Sequence, residues 1–132
     1  EVCPFTNTLV TVTLTGAQVQ SLLEYTLTDE ARVMEIAGLQ VHFNPAAPAG
    51  QRVVKVLVDT KGKPKPLDPA ASYQVVTNNF IAMGGDGHQT FLQGTDFLDT
   101  GILLRDAMVD YIKKRSPVWL RYKDRYVAER SE

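Results

Sequence analysis

"LQVHFNPAAPAGQRVVKVLVD", residues 39–59, decides the fold class. Leu39, Val41 and Phe43 point one way along an extended segment, and Gln40, His42 and Asn44 point the other. Pro45 to Gly50 supplies turn residues, and "QRVVKVLVD" is a β-branched return, so the two runs make an antiparallel hairpin. Just upstream, "RVMEIAG" (residues 32–38) reads as the same strand, broken or bulged at Gly38.

Working outward, "TLVTVTLT" (residues 8–15) alternates strictly, with Val10, Val12 and Leu14 on one face and Thr11 and Thr13 on the other. "TGAQVQSLLEYTL" follows as an amphipathic helix. Thr15 and Gln18 have capping-box spacing, and Val19, Leu22, Leu23 and Leu27 recur at helical intervals as a core stripe. "TKGKPKPLDPAA" (residues 60–71) carries the glycine and prolines of a surface loop, intolerable in a helix or a central strand. "SYQVVTNN" (residues 72–79) is a short strand running into a glycine cluster. "ILLRDAMVDYIKKR" (residues 102–115) is a second helix with Leu104, Ala107, Met108, Tyr111 and Ile112 on its packed face. Its last turn holds Lys113, Lys114 and Arg115, which suit a helix C-terminus, and Ser116-Pro117 ends it. "VWLRY" (residues 118–122) reads as a final strand before a fraying polar tail. The class is α+β, with a mixed, mostly antiparallel sheet and two principal helices.

The whole chain, 1–132, reads as one domain. Apolar residues make up 44% and charged residues 22%, so a real core is available and disorder is excluded as the general state. A net charge of −1 gives no general attraction for nucleic acid or an anionic membrane surface, and no apolar run approaches the ~20 residues of a membrane span. Cys3 is the only cysteine, which excludes an internal disulfide and a zinc knuckle. The sequence begins "EVCPF", with no signal peptide, as a fragment or processed chain would.

The chemistry concentrates in "FIAMGGDGHQTF" (residues 80–91). Gly84, Gly85 and Gly87 surround Asp86, a cluster that calls for a sharp turn or a close backbone approach. It is neither a phosphate-binding Walker loop nor a dinucleotide Gly-x-Gly-x-x-Gly, and no Gly-x-Ser-x-Gly elbow occurs. His42 and His88 lack the clustered partners of a metal centre, so no metal is expected in this chain. His42 reads as a solvated strand residue and His88 as a polar loop residue, the alternative for His88 being an acid–base pair with Asp86. Phe5, Phe80 and Phe91 are core on ordinary grounds. Phe80, however, leads from a strand end into the glycine loop, and Phe5 precedes its own strand, positions where side chains are often presented. Two rings and one carboxylate would suit a planar ligand carrying hydroxyls.

"CPFTNTLVTVTLTGAQVQSLLE", "GLQVHFNP", "YQVVTNNFIAMGGDGH" and "DTGILLRDAMVDYIKK" together resemble, in order and over essentially the whole chain, the C-terminal domain of the 5′-nucleotidase family. The Pro-Phe-x-Asn-Thr-Leu opening and the Asn-Phe-x-x-x-Gly-Gly-Asp-Gly stretch are specific as a pair. The resemblance implies a secreted, cell-surface or periplasmic phosphoesterase. Its separate N-terminal metallophosphoesterase domain would hold two divalent ions, such as zinc or manganese, and perform hydrolysis. The part played by this chain would be to bind a nucleotide or nucleoside, with no cofactor of its own. Phe5 and Phe80 match the two phenylalanines that grip the base, and Asp86, within Gly84, Gly85 and Gly87, matches the aspartate that binds ribose hydroxyls. An acceptor-only carboxylate suits a diol.

Departures from the family pattern accompany these matches. The family's Asn-Gly-Gly-x-Ile-Arg segment is expected upstream of residue 1. Cys3 stands where an apolar residue is usual, and His88 where Tyr or Phe is common. Two rival readings remain at this point. Relatives act on cyclic nucleotides, UDP-sugars or thiosulfate conjugates, and the fold could also serve a noncatalytic binding or scaffold domain.

Overall fold

Alternating threonine and aliphatic residues form strand β1 (Thr8–Thr15) in the computed structural model, with Val10, Val12 and Leu14 buried as expected. The structure describes residues 5–29, 33–60, 62–118 and 124–129. These fall into two compact units, Glu1–Leu14 with Ser72–Arg121 and Thr15–Ala71 with Tyr122–Glu132.

The second unit starts with helix α1 (Gly16–Thr26). Its capping box is complete: the Gln18 amide donates to Thr15 Oγ1 at 3.2 Å, and the Thr15 amide donates to Gln18 Oε1 at 2.8 Å. Val19, Leu22, Leu23 and Leu27 are all buried, as the helical spacing requires. The hairpin forms from β2 (Leu39–Phe43) and β3 (Val53–Thr60), antiparallel, with Val41 opposite Val56. The strand begins only at Leu39: residues 33–38, read as its upstream part, form no strand, and Gly38, at φ 77°, marks the boundary. Glu24 of α1 accepts the amides of Arg52 and Val53, each at 2.9 Å, while the Arg52 guanidinium donates to the Leu27 and Ala47 carbonyls. The helix C-terminus is thereby tied to the start of β3.

Two strands of this unit depart from expectation. Residues 60–71 are not all loop, because β4 (Lys63–Pro66) pairs antiparallel with β3. With a final strand, β7 (Tyr126–Ala128), the sheet order is β4-β3-β2-β7, so β4 is an edge, where a proline's missing N–H leaves no central ladder bond unmade and lysines discourage further pairing. β7 lies within the stretch read as a polar tail and pairs parallel with β2. Most of the expected strand at 118–122 falls outside the described residues. Tyr126 anchors β7. Its ring meets Phe43 edge-on at 6.4 Å, and its hydroxyl donates to the Met34 carbonyl at 2.8 Å.

Burial raises the Tyr126 pKa above its ordinary 10.0; a hydrogen bond with Thr26 opposes the shift and the charge of Glu35 adds to it. The folded chain therefore holds this proton more tightly than the unfolded chain does. The stability that this contributes is complete below about pH 10 and is lost as pH rises through the folded-state value. Tyr126→Phe is expected to cost about 1 kcal/mol at neutral pH and to flatten the loss of stability above about pH 10. Urea denaturation across that range checks both.

In the first unit, β5 (Ser72–Asn78), β1 and β6 (Thr95–Leu103) form a three-stranded sheet in the order β5-β1-β6. Among the described residues the strands thus form two sheets, of three and four strands, within the expected α+β class. Helix α3 (Leu104–Arg115) follows β6 directly and ends in its three basic residues. Its expected packed face is open. Met108 is 42%, Tyr111 55% and Ile112 51% exposed, no α3 residue is buried, and Ala107, Met108, Tyr111 and Ile112 line a shallow apolar groove. Helical periodicity marks an apolar stripe but does not say what covers it. Met108→Ala is accordingly expected to cost only about 0.5 kcal/mol or less, since no sealed cavity results. A loss above about 2 kcal/mol in urea melts, the range of a buried Met→Ala, would show that the face is covered in solution.

Candidate functional site

β5 delivers the chain into the glycine cluster. At its end Asn78 caps a single-turn helix, α2 (Asn79–Ala82), accepting the Ile81 amide at 2.9 Å. Ile81 and Ala82 are buried, which fixes this turn, whereas Phe80 between them and the strand is 51% exposed. The 3-10 turns Gly85–Gly87 and Gln89–Gln93 complete the loop. The loop is held by its own backbone: the Gly84 amide donates to Ile81 O at 3.0 Å, Gly87 to Gly84 O at 3.2 Å and His88 to Gly85 O at 3.1 Å.

Asp86 sits at φ 51°, ψ 25°, the left-handed region, between Gly84 at φ 84° and Gly87 at φ 81°. Glycine enters that region freely, while aspartate does so at a cost of order 1–3 kcal/mol that the surrounding structure must cover. Asp86 is exposed at the loop tip. The left-handed backbone thus falls on an exposed aspartate.

The three phenylalanines separate clearly. Phe91 is 2% exposed and belongs to the core, whereas Phe5 is 75% exposed. Leaving a ring in water forgoes roughly 1.5–3 kcal/mol of burial. Phe5 precedes β1 and Phe80 follows β5, and these strands are neighbours in the sheet. Phe5, Phe80, Asp86 and the three glycines all lie in one compact unit.

Both histidines are more buried, or more tightly partnered, than their places in the sequence suggest. His88 is a polar loop residue, as expected, but a buried one: it is 3% exposed, and its Nδ1 donates to the Gly85 carbonyl at 3.1 Å, which braces the loop. Nothing in its position between Gly87 and Gln89 signals burial, so sequence reasoning could not find that role. His42 is partly buried, with Nδ1 3.0 Å from the Glu129 carboxylate across the β2–β7 pair. Among the described residues no group of three or more His, Cys, Asp or Glu could hold a metal ion. No helix among them is long and apolar enough to cross a membrane. A cavity of about 380 Å³ in the other unit, lined by residues including Gln40, Asp59 and Arg125, contains none of the candidate residues.

Comparison with known proteins matches residues 1–93 to the model of the 5′-nucleotidase, C-terminal domain. The 5′-nucleotidase-related protein of Glossina morsitans morsitans is 33% identical over 124 residues, covering 87% of this chain and 22% of that protein. The crystal structure of the 5′-nucleotidase precursor from Thermus thermophilus superimposes with a TM-score of 0.91 at 36% identity, over 99% of this chain and 27% of that one. The NAD nucleotidase of Haemophilus influenzae follows the same fold with a TM-score of 0.79 at 28% identity, over 96% of this chain and 25% of its own. The chain thus spans roughly a quarter of the length of each of these relatives.

Proposed function

The chain belongs to the family of 5′-nucleotidase C-terminal domains, and from that premise we propose that it is the nucleoside-gripping domain of a 5′-nucleotidase-like phosphoester hydrolase. Phe5 and Phe80 stack on the two faces of the base, and the Asp86 carboxylate accepts hydrogen bonds from the ribose hydroxyls. The single observation that carries this reading is the contrast among the rings. Phe91 goes to the core while Phe5 and Phe80 stay exposed in the unit that also presents Asp86.

Stacking on aromatic faces is worth roughly 1–3 kcal/mol per base and tolerates different bases. Charge-assisted bonds to a carboxylate are about twice as strong as neutral ones. The pair therefore separates the tasks, with the rings giving grip without base selectivity and the carboxylate giving selectivity for a sugar diol. Gly84 and Gly87 shape the turn that holds Asp86 out.

Hydrolysis belongs to a separate N-terminal metallophosphoesterase domain of the same polypeptide. Two divalent ions such as zinc or manganese would there activate water and bind phosphate oxygens. The described residues of this chain do not fit such a centre. The purified chain is therefore expected to release no phosphate from AMP in the presence of zinc or manganese. Release at a rate that survives repurification would contradict this division of labour. A periplasmic, cell-surface or secreted location follows from the same reading, and export of the full-length polypeptide tests it.

A further inference from the structure

We propose that Gly85 is a positioning residue whose missing side chain forms the seat of the Phe80 ring, a role that rests on the reading of Phe80 as a base-stacking platform. The three glycines of the loop exist for two different reasons. Gly84 and Gly87 have positive φ and answer to backbone conformation. Gly85 is not among the positive-φ residues, so its backbone would accept any side chain. What forbids one is Phe80. A Cβ at Gly85 would stand 2.5 Å from the Phe80 carbonyl oxygen and 2.6 and 2.7 Å from its ring carbons Cε1 and Cδ1, where real Cβ contacts essentially never fall below 3.0 Å.

The single turn of α2 and the reversal at Met83 and Gly84 bring Gly85 back beneath the residue five positions earlier. The Cδ1–Cε1 edge of the Phe80 ring thus lies against Gly85 while about half of the residue stays open to solvent. A ring held along one edge is pre-organised to offer its face to a planar ligand, which lowers the ordering cost of binding. Asp86 is the next residue, so one peptide unit sets both the ring seat and the carboxylate. A side chain at 85 would disturb them together. The displaced carbonyl cannot yield as the end of a flexible side chain could, so the ring and the α2 turn must shift.

Two experiments separate this seat from the nucleoside reading. In NMR spectra of the chain, an α-proton of Gly85 should carry an aromatic ring-current shift that disappears in Phe80→Leu; an unshifted Gly85 overturns the seat. In the full-length polypeptide, Gly85→Ala should raise KM for AMP roughly ten-fold, with kcat changed much less, as loss of uniform substrate binding requires. Wild-type kinetics in Gly85→Ala overturn the positioning role. If Gly85→Ala does not fold, the ring-current comparison of wild type with Phe80→Leu decides the seat. Should the shift be present while Phe80→Leu hydrolyses AMP with wild-type KM, the seat exists but the nucleoside reading falls, and the positioning role falls with it.

Discussion

Gly16→Ala is expected to destabilise the chain by about 3 kcal/mol or more, although alanine is the better helix former. Gly16 opens α1, and a Cβ there would collide with the Asp68 carbonyl oxygen, lie 2.8 Å from its carbon and come within 3.0 Å of Pro69 Cα. All three are backbone atoms. The Gly16 amide donates to Ala71 O at 2.9 Å and the Ala17 amide to Pro69 O at 3.0 Å, so the helix cannot retreat without breaking both bonds. The gain in helix propensity, up to ~1 kcal/mol in a helix interior and less in a first turn, does not offset this. Equilibrium urea denaturation measures the difference, and a loss under about 1 kcal/mol, the size of an ordinary substitution, would mean that residues 68–71 do not hold the helix start as described.

The second large effect is functional. Phe80→Ala in the full-length polypeptide is expected to raise KM for AMP roughly 5- to 150-fold, the equivalent of one base-stacking contact at about 1–3 kcal/mol. Stability should change far less than the ~3–5 kcal/mol typical of a core Phe→Ala, because Phe80 is 51% exposed. This dissociation is the signature of a binding ring. Steady-state kinetics beside a melting curve reads both quantities from one variant, and a large stability loss with unchanged KM would return Phe80 to the core.

These two sites also show what could be read from residues alone. β1, α1 and the β2–β3 hairpin are legible because each buries residues whose apolar period records that burial, and β5 because exposed and half-buried residues alternate along it. β6 is not. Asp96 at φ 51° and Gly101 at φ 68° accompany the register shifts of β6 against β1, so Phe97, Leu98 and Ile102 fail to alternate, and all three are exposed. β4 was hidden by prolines that only an edge position allows, and β7 by a length of three residues. The open face of α3 shows the opposite failure, a clear helical stripe without burial.

At the candidate site, local signals placed Phe80 at a strand end and Asp86 among glycines, and resemblance supplied their expected roles. The seat at Gly85 could not be read this way. It depends on a residue five positions earlier lying so close that a Cβ at 85 would stand within 3 Å of it, a fact of three dimensions that no spacing rule encodes. The burial of His88 and its bond to the Gly85 carbonyl are likewise not encoded in its local sequence.

The central claim is that Phe5, Phe80 and Asp86 form one clamp, and a crystal structure of the full-length protein with adenosine tests it most directly. The account predicts an adenine ring between parallel phenyl faces about 7 Å apart. It also predicts both Asp86 carboxylate oxygens within about 3 Å of the ribose hydroxyls. Adenosine bound elsewhere, or bound with Phe5 and Phe80 on opposite sides of the β5-β1-β6 sheet, would contradict it.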